Sequence, residues 1–455
     1  MRKYFGTDGV RGVANTELTC ELAFKLGRAG GYVLAKGKDK VKVLIGKDTR
    51  VSGDMLEASL ISGLMSVGCD VIPVGVIPTP GIAYLTKEYK ADCGVVISAS
   101  HNPVEFNGIK FFNSEGYKLD DEIELEIEKY IDDMSKIDYL PTGDKVGKII
   151  KEVGPFGFEK DGLYDYADYL KSIADVDFNG LKVVLDCANG ASFEVAPIVF
   201  ESLGAEVICI NNTPDGNNIN DNCGSTHPVS LQQAVVENKA DLGLAYDGDA
   251  DRLIAVNEKG AIVDGDRIMM LSAIHLKKKN QLANNTLVVT VMSNIGLHIC
   301  AKEHGINLAV TSVGDRYVLE EMKKNGYNLG GEQSGHMIFL DHNTTGDGVL
   351  SSLMLAKIIK EENKPLSELA SVMTQYPQVL VNAKIKNENK SKYMEFEDIA
   401  SEISRIEKIL DGKGRVLIRP SGTEPLVRVM LEGENQSELK TLATDLANLM
   451  ESKLG

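Results

Sequence analysis

Three aspartates, Asp247, Asp249 and Asp251, alternate with small residues directly after the apolar run 242–246. In an extended segment, side chains two residues apart point the same way, so the three carboxylates would crowd one small volume and repel each other unless a cation or a proton joins them. Carboxylate oxygens are hard ligands that favour Mg²⁺ or a similar ion. The spacing therefore predicts a metal site. The motif by itself leaves two alternatives open, a solvated acidic loop and the aspartate nucleophile of a DxD phosphatase.

A serine, Ser100, lies in the run ISASHNP (97–103), where another apolar segment ends, and the run NGIK (107–110) follows shortly after it. Reactive groups in α/β folds gather at the carboxyl ends of strands, which is the position expected for this serine. Taken alone, a serine before His-Asn-Pro is more typical of a turn than of a nucleophile. Its assignment as a nucleophile therefore depends on the neighbouring motifs.

Several loops combine glycine, hydroxyl groups and arginine, which are the components of a phosphate site. Such loops let backbone N–H groups approach closely, and guanidinium groups match phosphate oxygens bidentately. The run RPSGTEP (419–425), followed by Arg428, has all of these components, and the runs 6–12 (GTDGVRG) and 46–50 (GKDTR) add cations. The run GEQSGH (331–336) suits sugar hydroxyls and proton transfer. Each run taken alone is also compatible with a structural turn.

Three segments share the pattern that must position these groups: an apolar run, a glycine-containing turn, a helical stretch and a second apolar strand. They begin at Val41 (VKVLIGKDTRVSG), at Leu181 (LKVVLDCANGAS) and near Leu287 (NTLVVTVMSNIG). Runs that are apolar throughout are typical of central strands covered on both faces, and alternation with helices favours mainly parallel sheets. The pattern predicts three α/β domains of similar build.

The C-terminal part of the chain has a different pattern, which predicts a smaller α+β domain. Its final helix is expected to open at Asn435, with Glu438 three residues on, which is a capping arrangement. The preceding elements are expected as a strand over 378–385, an amphipathic helix over 394–410, and short strands over 415–418 and 426–431. Charged, proline-containing segments at 144–155 and 361–377 favour domain boundaries, and we expect domains over 1–152, 153–256, 257–370 and 371–455.

The composition is typical of a globular chain, with 455 residues of which 43% are hydrophobic and 25% charged. The net charge of -17 argues against a broad surface for nucleic acid or anionic membrane. Seven scattered cysteines show neither zinc spacing nor a disulfide framework. No uninterrupted apolar run approaches the roughly 18 residues that span a bilayer, and we expect a cytoplasmic protein.

The motifs GTDGVRG, SASHNP, DGDADR, GEQSGH and RPSGTEP occur in this order over the whole chain, and jointly they resemble the α-D-phosphohexomutase family. Within the family, Gln333 and the run RPSGTEPLVRVM are most similar to the bacterial branch that acts on glucosamine phosphate. The opening run KYFGTDGVRGVAN resembles the same branch, and so does ISASHNP together with NGIKFF. Two departures are Cys20, where proline is frequent, and Asn113, where glycine is common. Neither position touches the chemistry.

The resemblance implies an α/β fold of three similar mixed α/β domains plus a smaller C-terminal α+β domain around a central cleft, with one loop from each domain. It implies that Ser100 is the phosphoserine, that Lys47 and His336 are acid or base, and that Arg11 and Arg252 contact the transferring phosphate. The implied catalytic set is Ser100, Lys47, His336, Arg11, Arg252 and His101. The implied metal ligands are Ser100 through its phosphate, Asp247, Asp249 and Asp251. The implied substrate contacts are Glu332 and Ser334 to sugar hydroxyls, and Arg419, Ser421, Gly422, Thr423 and Arg428 to the distal phosphate.

The reaction implied by the resemblance interconverts the 6-phosphate and 1-phosphate of glucosamine, which supplies UDP-N-acetylglucosamine and cell-wall precursors. Phosphoryl transfer depends on positioning and charge neutralisation, so one Mg²⁺ per chain is expected, with glucosamine 1,6-bisphosphate as intermediate and activator. A distal clamp that accepts either phosphate favours a mobile final domain. The expected partners are small sugar phosphates. The oligomeric state stays open between a monomer and a homodimer. The first phosphorylation of Ser100 stays open between a protein kinase and autophosphorylation.

Two rival readings remain. One is a phosphomannomutase/phosphoglucomutase, which differs only in its preferred sugar. The other is a sugar-phosphate sensor that has kept the fold but lost turnover, against which the presence of Ser100 with all three aspartates argues.

Overall fold

The computed structural model of the protein describes residues 3–6, 8–36, 38, 40–154, 159–421 and 424–455. The chain divides into two compact units. The first comprises Met1–Val291 and Leu308–Ala370, and the second comprises Met292–Asn307 and Ser371–Gly455. None of the described helices is long and apolar enough to cross a membrane.

The first α/β domain is built on a mixed five-stranded sheet in the order β1-β5-β4-β2-β3. Its central strands are apolar and buried, and β2 pairs in parallel with both β3 and β4, whereas β5 runs antiparallel to β4 and β1. The strands are β1 (Val10–Val13), β2 (Val41–Lys47), β3 (Cys69–Val76), β4 (Cys93–Ile97) and β5 (Phe106–Asn113). The helices are α1 (Cys20–Leu34), α2 (Ser52–Met65), α3 (Thr79–Glu88) and α4 (Asp121–Asp132).

The second domain repeats this arrangement, with a sheet in the order β10-β9-β8-β6-β7. The strand β6 lies parallel to β7 and β8, and β9 is antiparallel to β8 and β10. The strands are β6 (Lys182–Asp186), β7 (Glu206–Ile210), β8 (Leu242–Tyr246), β9 (Leu253–Asn257) and β10 (Ile262–Val263). The helices are α5 (Gly162–Ala174), α6 (Val195–Ser202) and α7 (Val229–Asn238).

The third sheet has the order β12-β11-β13-β14, with β13 parallel to β11 and antiparallel to β14. The strands are β11 (Thr286–Thr290), β12 (Asn307–Thr311), β13 (Leu329–Gly331) and β14 (Met337–Phe339). The helices are α8 (Gly265–Lys278), α9 (Ile295–Glu303), α10 (Asp315–Asn325), α11 (Gly348–Glu362) and α12 (Leu366–Leu369). Of these elements, α9 belongs to the second compact unit.

The C-terminal sheet is antiparallel, in the order β15-β17-β16, and two helices complete an α+β domain with its own apolar core. The side chain of Asn435 accepts hydrogen bonds from the N–H groups of Ser437 and Glu438, so the predicted start of the last helix is confirmed. The elements are β15 (Gln378–Lys384), α13 (Glu397–Leu410), β16 (Arg415–Pro420), β17 (Leu426–Glu432) and α14 (Gln436–Leu454).

The predicted fold class is confirmed, although the three α/β sheets are mixed because each carries antiparallel flanking strands. Four of the motifs singled out in the sequence follow a strand end. Ser100 lies three residues after β4, Asp247 directly follows β8, Glu332 directly follows β13, and Ser421 directly follows β16. Side chains at these positions leave the buried sheet and become available for chemistry.

Candidate active site

The hydroxyl of Ser100 contacts the acidic motif directly. Its Oγ donates a hydrogen bond of 2.6 Å to Asp247 Oδ2 and lies 3.3 Å from His101 Nδ1. Ser100 is only 1% exposed and has a φ of 54°, the left-handed region that a residue with a Cβ seldom adopts. Such strained conformations persist where the surroundings enforce them, and they concentrate at functional sites.

The three aspartates converge as their spacing predicts. Asp247, Asp249 and Asp251 are buried, and each offers a carboxylate oxygen within 4.8 Å of the others. The Oδ1 atoms of Asp249 and Asp251 are buried without a hydrogen-bond partner among the described residues. Orphaned buried carboxylate oxygens are costly unless a cation meets them. The cluster therefore fits a divalent ion with a preference for oxygen ligands, such as Mg²⁺.

Mutual repulsion also appears in the electrostatics of this cluster. Burial, followed by the charges of Asp251 and Asp249, raises the pKa of Asp247 well above its ordinary value. A carboxyl group under this repulsion gains from a cation that binds the ionised form. On the other side of the cluster, Asp249 Oδ2 accepts hydrogen bonds from Thr79 Oγ1 at 2.7 Å and from Lys110 Nζ at 3.1 Å.

Close backbone packing brings the loops of the first two domains together. A Cβ placed on Gly248 would lie 2.5 Å from the carbonyl oxygen of Ser100, so only glycine fits at this point of the acidic motif. The same carbonyl accepts a 2.9 Å hydrogen bond from Asn220 Nδ2 of the second domain. The metal cluster and the serine are thus held in register by backbone contacts as well as by the hydrogen bond between their side chains.

Arg50 supports the serine loop, residues 100–103, through its backbone carbonyl groups, a role that the sequence pattern did not reveal. Its guanidinium donates to the carbonyl oxygens of Ser100 at 3.0 Å, Asn102 at 2.8 Å and Pro103 at 2.6 Å. Its charge is met by Asp48 at 2.9 Å, and both side chains of this ion pair are fully buried. Arg50, expected only as a cation near phosphate, is therefore a support for the loop.

Arg252 and His101 lie next to the serine and the aspartates. Arg252 Nη1 is 3.1 Å from His101 Nδ1, and the backbone N–H of Arg252 donates to Asp247 Oδ1 at 3.2 Å. Burial, together with the charges of Arg252 and Arg11, lowers the pKa of His101 to about 4. His101 is therefore neutral at physiological pH, which suits a hydrogen-bonding role.

The loop of the third domain reaches the same cluster through His336. This imidazole is buried, with Nδ1 3.4 Å from Asp251 Oδ2, and its Nε2 accepts from the N–H of Gly346 at 3.2 Å. Glu332 is held in place because its Oε1 accepts from the N–H of Gly314 at 3.0 Å, and Ser334 is exposed. The structure thus brings His336 to the metal cluster and leaves the Ser334 hydroxyl accessible.

Lys47 and Arg11 have other described partners. The ammonium of Lys47 pairs with Asp54 at 2.7 Å and with Glu57, both on α2. Burial would lower the pKa of Lys47, but these two carboxylates raise it above its ordinary value. Arg11 pairs through Nη2 with Asp8. Within the part of the chain that the structure describes, neither side chain forms a hydrogen bond to Ser100 or to the three aspartates.

The C-terminal domain carries the predicted phosphate loop at the edge of its sheet. Arg419 on β16 lies directly opposite Arg428 on β17. Like charges at opposed positions of an antiparallel pair are destabilising, so an anion bound between the two guanidinium groups would offset their repulsion. Arg428 has a single described ion pair, to Glu424 at 3.6 Å, and Ser421 Oγ accepts from the N–H of Glu424 at 3.1 Å. The predicted contacts Gly422 and Thr423 lie outside the described residues.

A lysine that the sequence did not single out closes this loop. Lys390 Nζ donates to the carbonyl oxygens of Ser421 at 2.6 Å and of Glu424 at 2.5 Å. It thereby links two backbone carbonyl groups of the segment between β16 and β17, and it adds a positive charge to this loop. No local pattern could have identified it, because it lies 31 and 34 residues from its partners.

Comparisons with known proteins agree with this geometry. The chain matches the four domain models of the phosphoglucomutase/phosphomannomutase family, namely alpha/beta/alpha domains I, II and III and the C-terminal domain, over residues 2–138, 164–260, 264–376 and 380–449. It is 75% identical to a phosphoglucosamine mutase of Clostridioides difficile and 60% identical to one of Caldanaerobacter subterraneus, with full coverage of both chains in each case.

Solved structures show the same fold. A phosphoglucomutase/phosphomannomutase family protein from Burkholderia thailandensis is 25% identical with a TM-score of 0.80, covering 99% of this chain and 97% of its own. The N-acetylphosphoglucosamine mutase of Aspergillus fumigatus, solved in complex with GlcNAc-6P and magnesium, is 18% identical with a TM-score of 0.68, covering 99% and 96%. All four family domains match in order along a chain whose strand ends carry Ser100, the acidic cluster and the loop after Arg419, and the chain therefore belongs to the phosphoglucomutase/phosphomannomutase family.

Proposed function

We propose that the protein interconverts glucosamine 6-phosphate and glucosamine 1-phosphate through a phosphoserine at Ser100. The observation that carries the chemistry is the 2.6 Å contact between Ser100 Oγ and Asp247 inside a buried cluster of three carboxylates. The choice of sugar is supported by the relatives that share 75% and 60% of their residues with this chain over its full length.

The first half-reaction starts with the phosphoryl group on Ser100. The P–O bond to Ser100 Oγ breaks while a new P–O bond forms to the free hydroxyl of the sugar monophosphate. The proton of that hydroxyl passes to a base, and an acid gives one proton to Ser100 Oγ as the phosphoryl group leaves. The product is glucosamine 1,6-bisphosphate. In the second half, the bisphosphate presents its other phosphate. The P–O bond to the sugar oxygen breaks while a new P–O bond forms to Ser100 Oγ, the proton of Ser100 passes to the base, and the acid gives a proton to the sugar oxygen, so that the isomeric monophosphate is released.

Asp247, Asp249 and Asp251 would hold Mg²⁺ beside Ser100. When bound, the ion supplies positive charge against the oxygens of the phosphoryl group. Arg252, whose Nη1 lies 3.1 Å from His101 Nδ1 beside Ser100, would neutralise further charge on that group. Lys110, buried and 3.1 Å from Asp249 Oδ2, adds a cation that sequence reasoning left without a role.

We assign the proton acceptor to His336 rather than to Lys47. Burial would lower the pKa of His336, but the charge of Asp251 raises it above its ordinary value, so this imidazole is a stronger base than an ordinary histidine. The N–H of Gly346 donates to Nε2, which can accept only while that nitrogen carries no proton. Lys47 lies between two carboxylates that raise its pKa, and a protonated ammonium can donate a proton but cannot accept one. The pair would thus divide the roles of base and acid.

The phosphate that is not being transferred would bind to Arg419, Ser421 and Arg428. These groups supply two guanidinium forks and a hydroxyl, which together match the geometry of a phosphate. Glu332 and Ser334 would contact the sugar hydroxyls. In this scheme both monophosphates use the same clamp, because each carries one phosphate distal to the reacting hydroxyl.

Side-by-side turnover tests the proposal. We expect the highest kcat/KM with glucosamine 6-phosphate, a lower value with glucose and mannose phosphates, and one phosphate by mass on Ser100 of the purified protein. A preference for mannose or glucose phosphate would replace the proposed substrate by that of the alternative mutase. Absence of turnover together with an unmodified Ser100 would favour a sugar-phosphate sensor.

A further inference from the structure

A carboxylate outside the metal cluster collects three cations. Asp8, between β1 and the start of the chain, pairs with Arg11 through Oδ2, with Lys110 Nζ at 3.0 Å and with Lys118 Nζ at 2.6 Å. Lys110 is also the partner of Asp249, so one residue, Lys110, connects Asp8 with the acidic cluster. No role follows for Asp8 or Lys118 from the five motifs alone.

Lys118 extends this network into the third domain. Its Nζ lies 2.6 Å from Asp315 Oδ2, and Asp315 is the first residue of α10. The same Asp315 oxygen is 3.8 Å from His336 Nε2, while His336 Nδ1 faces Asp251 at 3.4 Å. These contacts therefore form a closed path of ionisable groups that leaves the acidic cluster at Asp249 and returns to it at Asp251.

The charges in the middle of this path are fixed. Burial would raise the pKa of Asp8, but Lys110, Lys118 and Arg11 hold it well below its ordinary value. Burial would lower the pKa of Lys118, but Asp315 and Asp8 raise it above its ordinary value. At neutral pH both groups are ionised, so Lys118 acts as a stationary cross-link between two carboxylates and passes no proton.

We propose that Lys118 is a positioning residue for phosphoryl transfer: by bridging Asp8 of the first domain and Asp315 of the third, it fixes Arg11 and Lys110 relative to His336. The inference rests on the proposed function, because that function gives Lys110 and His336 their roles. Misplacement of a catalytic group by about 1 Å can cost 100-fold in rate, so a single lysine can control turnover without touching the substrate.

The alternative role for Lys118 is direct binding of a substrate phosphate, since its side chain is 23% exposed. The two roles predict different kinetics. A positioning residue affects the chemical step after the substrate has bound, and it should be coupled to Asp315. A substrate contact affects binding of the sugar phosphate, and it should act independently of Asp315.

The experiment compares Lys118→Met, Lys118→Arg, Asp315→Asn and the double variant Lys118→Met/Asp315→Asn. Transfer of phosphate from phosphorylated enzyme to glucosamine 6-phosphate is followed by rapid quench, beside steady-state kcat and KM. We expect Lys118→Met to reduce the transfer rate about 100-fold with KM changed less than about threefold. Arginine can bridge two carboxylates, and a cavity of about 250 Å³ lined by Lys118 and Asp315 leaves room for it, so Lys118→Arg should recover much of the rate.

Asp315→Asn should lower the transfer rate in the same direction, and the double variant should be no slower than Lys118→Met, because both changes remove one bridge. Lys323→Met is the matched control: its ammonium lies 3.9 Å from the ring centroid of Tyr117 beside the same cavity, and its loss should leave the rate unchanged. If Lys118→Met does not fold, Lys118→Arg and Asp315→Asn carry the comparison.

Two results would overturn the proposal. One is a KM raised tenfold or more with the transfer rate intact, which would make Lys118 a substrate contact. The other is full additivity of the two single changes. Failure of the proposed substrate is a separate outcome, because it appears in the unmodified enzyme; the variants are then compared on the hexose phosphate that the unmodified enzyme turns over.

Discussion

Ser100 Oγ donates its hydrogen bond to Asp247 Oδ2 across 2.6 Å, so the serine of the first domain and the acidic cluster of the second are in direct contact. Replacing Ser100 with alanine removes the only atom that can carry the phosphate in this contact. We expect Ser100→Ala to abolish mutase activity and phosphate labelling while the thermal unfolding midpoint stays close to that of the unmodified protein. Ser172→Ala, on the exposed face of α5, serves as the control. Near-normal turnover of the Ser100 variant would end the phosphoserine mechanism.

Metal removal tests the acidic cluster. A chelator should abolish activity, and added Mg²⁺ should restore it and stabilise the fold, by about 2.7 kcal/mol at a free concentration 100 times Kd. Asp249→Asn removes one negative ligand, so it should raise the Mg²⁺ concentration needed for half-maximal activity. When a chelator has removed the metal, Asp249→Asn also relieves repulsion among the buried carboxylates. The variant should therefore lose less unfolding free energy in chelator than it loses in the presence of Mg²⁺. Activity that is indifferent to chelation would contradict the metal site.

Arg428 should govern binding of both sugar monophosphates. Charge-assisted hydrogen bonds contribute about 1.5 to 3 kcal/mol each, so Arg428→Ala should weaken the binding of either monophosphate by roughly tenfold or more. Phosphate on Ser100 should be unchanged. Arg405→Ala removes an exposed arginine of the same domain, paired with Glu402, and provides the control. Equal affinity in the two variants would remove Arg428 from the clamp.

Lys390 is expected to support the same loop from outside. Lys390→Met removes both hydrogen bonds that join the carbonyl oxygens of Ser421 and Glu424, and it removes a positive charge beside the expected phosphate. Affinity for either monophosphate should fall by about tenfold, measured by titration calorimetry. Lys392 is an exposed neighbour, and the Lys392→Met variant should bind either monophosphate as tightly as the unmodified protein does. A Lys390 variant with normal affinity would show that the loop keeps its shape without this lysine.

Arg50 should control turnover through the serine loop. Lys cannot reproduce the three hydrogen bonds of the guanidinium to the loop carbonyls, but it keeps a positive charge beside the buried Asp48. We therefore expect Arg50→Lys to lower kcat by about 100-fold with a smaller loss of stability than Arg50→Met, which leaves a buried charge unpaired at a cost of about 3 to 5 kcal/mol. Chemical denaturation and steady-state kinetics measure the two effects, and an unchanged kcat in Arg50→Lys would show that the loop does not depend on this support.

The sequence alone was sufficient to predict the fold class and the convergence of the three aspartates. Asp247, Asp249 and Asp251 could be predicted to converge because side-chain direction in an extended segment depends only on local spacing. The uniformly apolar runs predicted buried strands, and Asn435 predicted the start of the last helix. Both predictions were possible because each signal lies within a few residues of the structure that it specifies.

Tertiary structure alone decided which charged residues support those groups. Lys118 lies 197 residues from Asp315, and Lys110 lies 139 from Asp249, so no spacing along the chain could pair them. The same holds for Lys390 and for Arg50, whose partners are backbone carbonyls that any sequence supplies. An ion pair or a hydrogen bond acts over a few ångströms in space, and only the packing of the domains determines which distant side chains come that close.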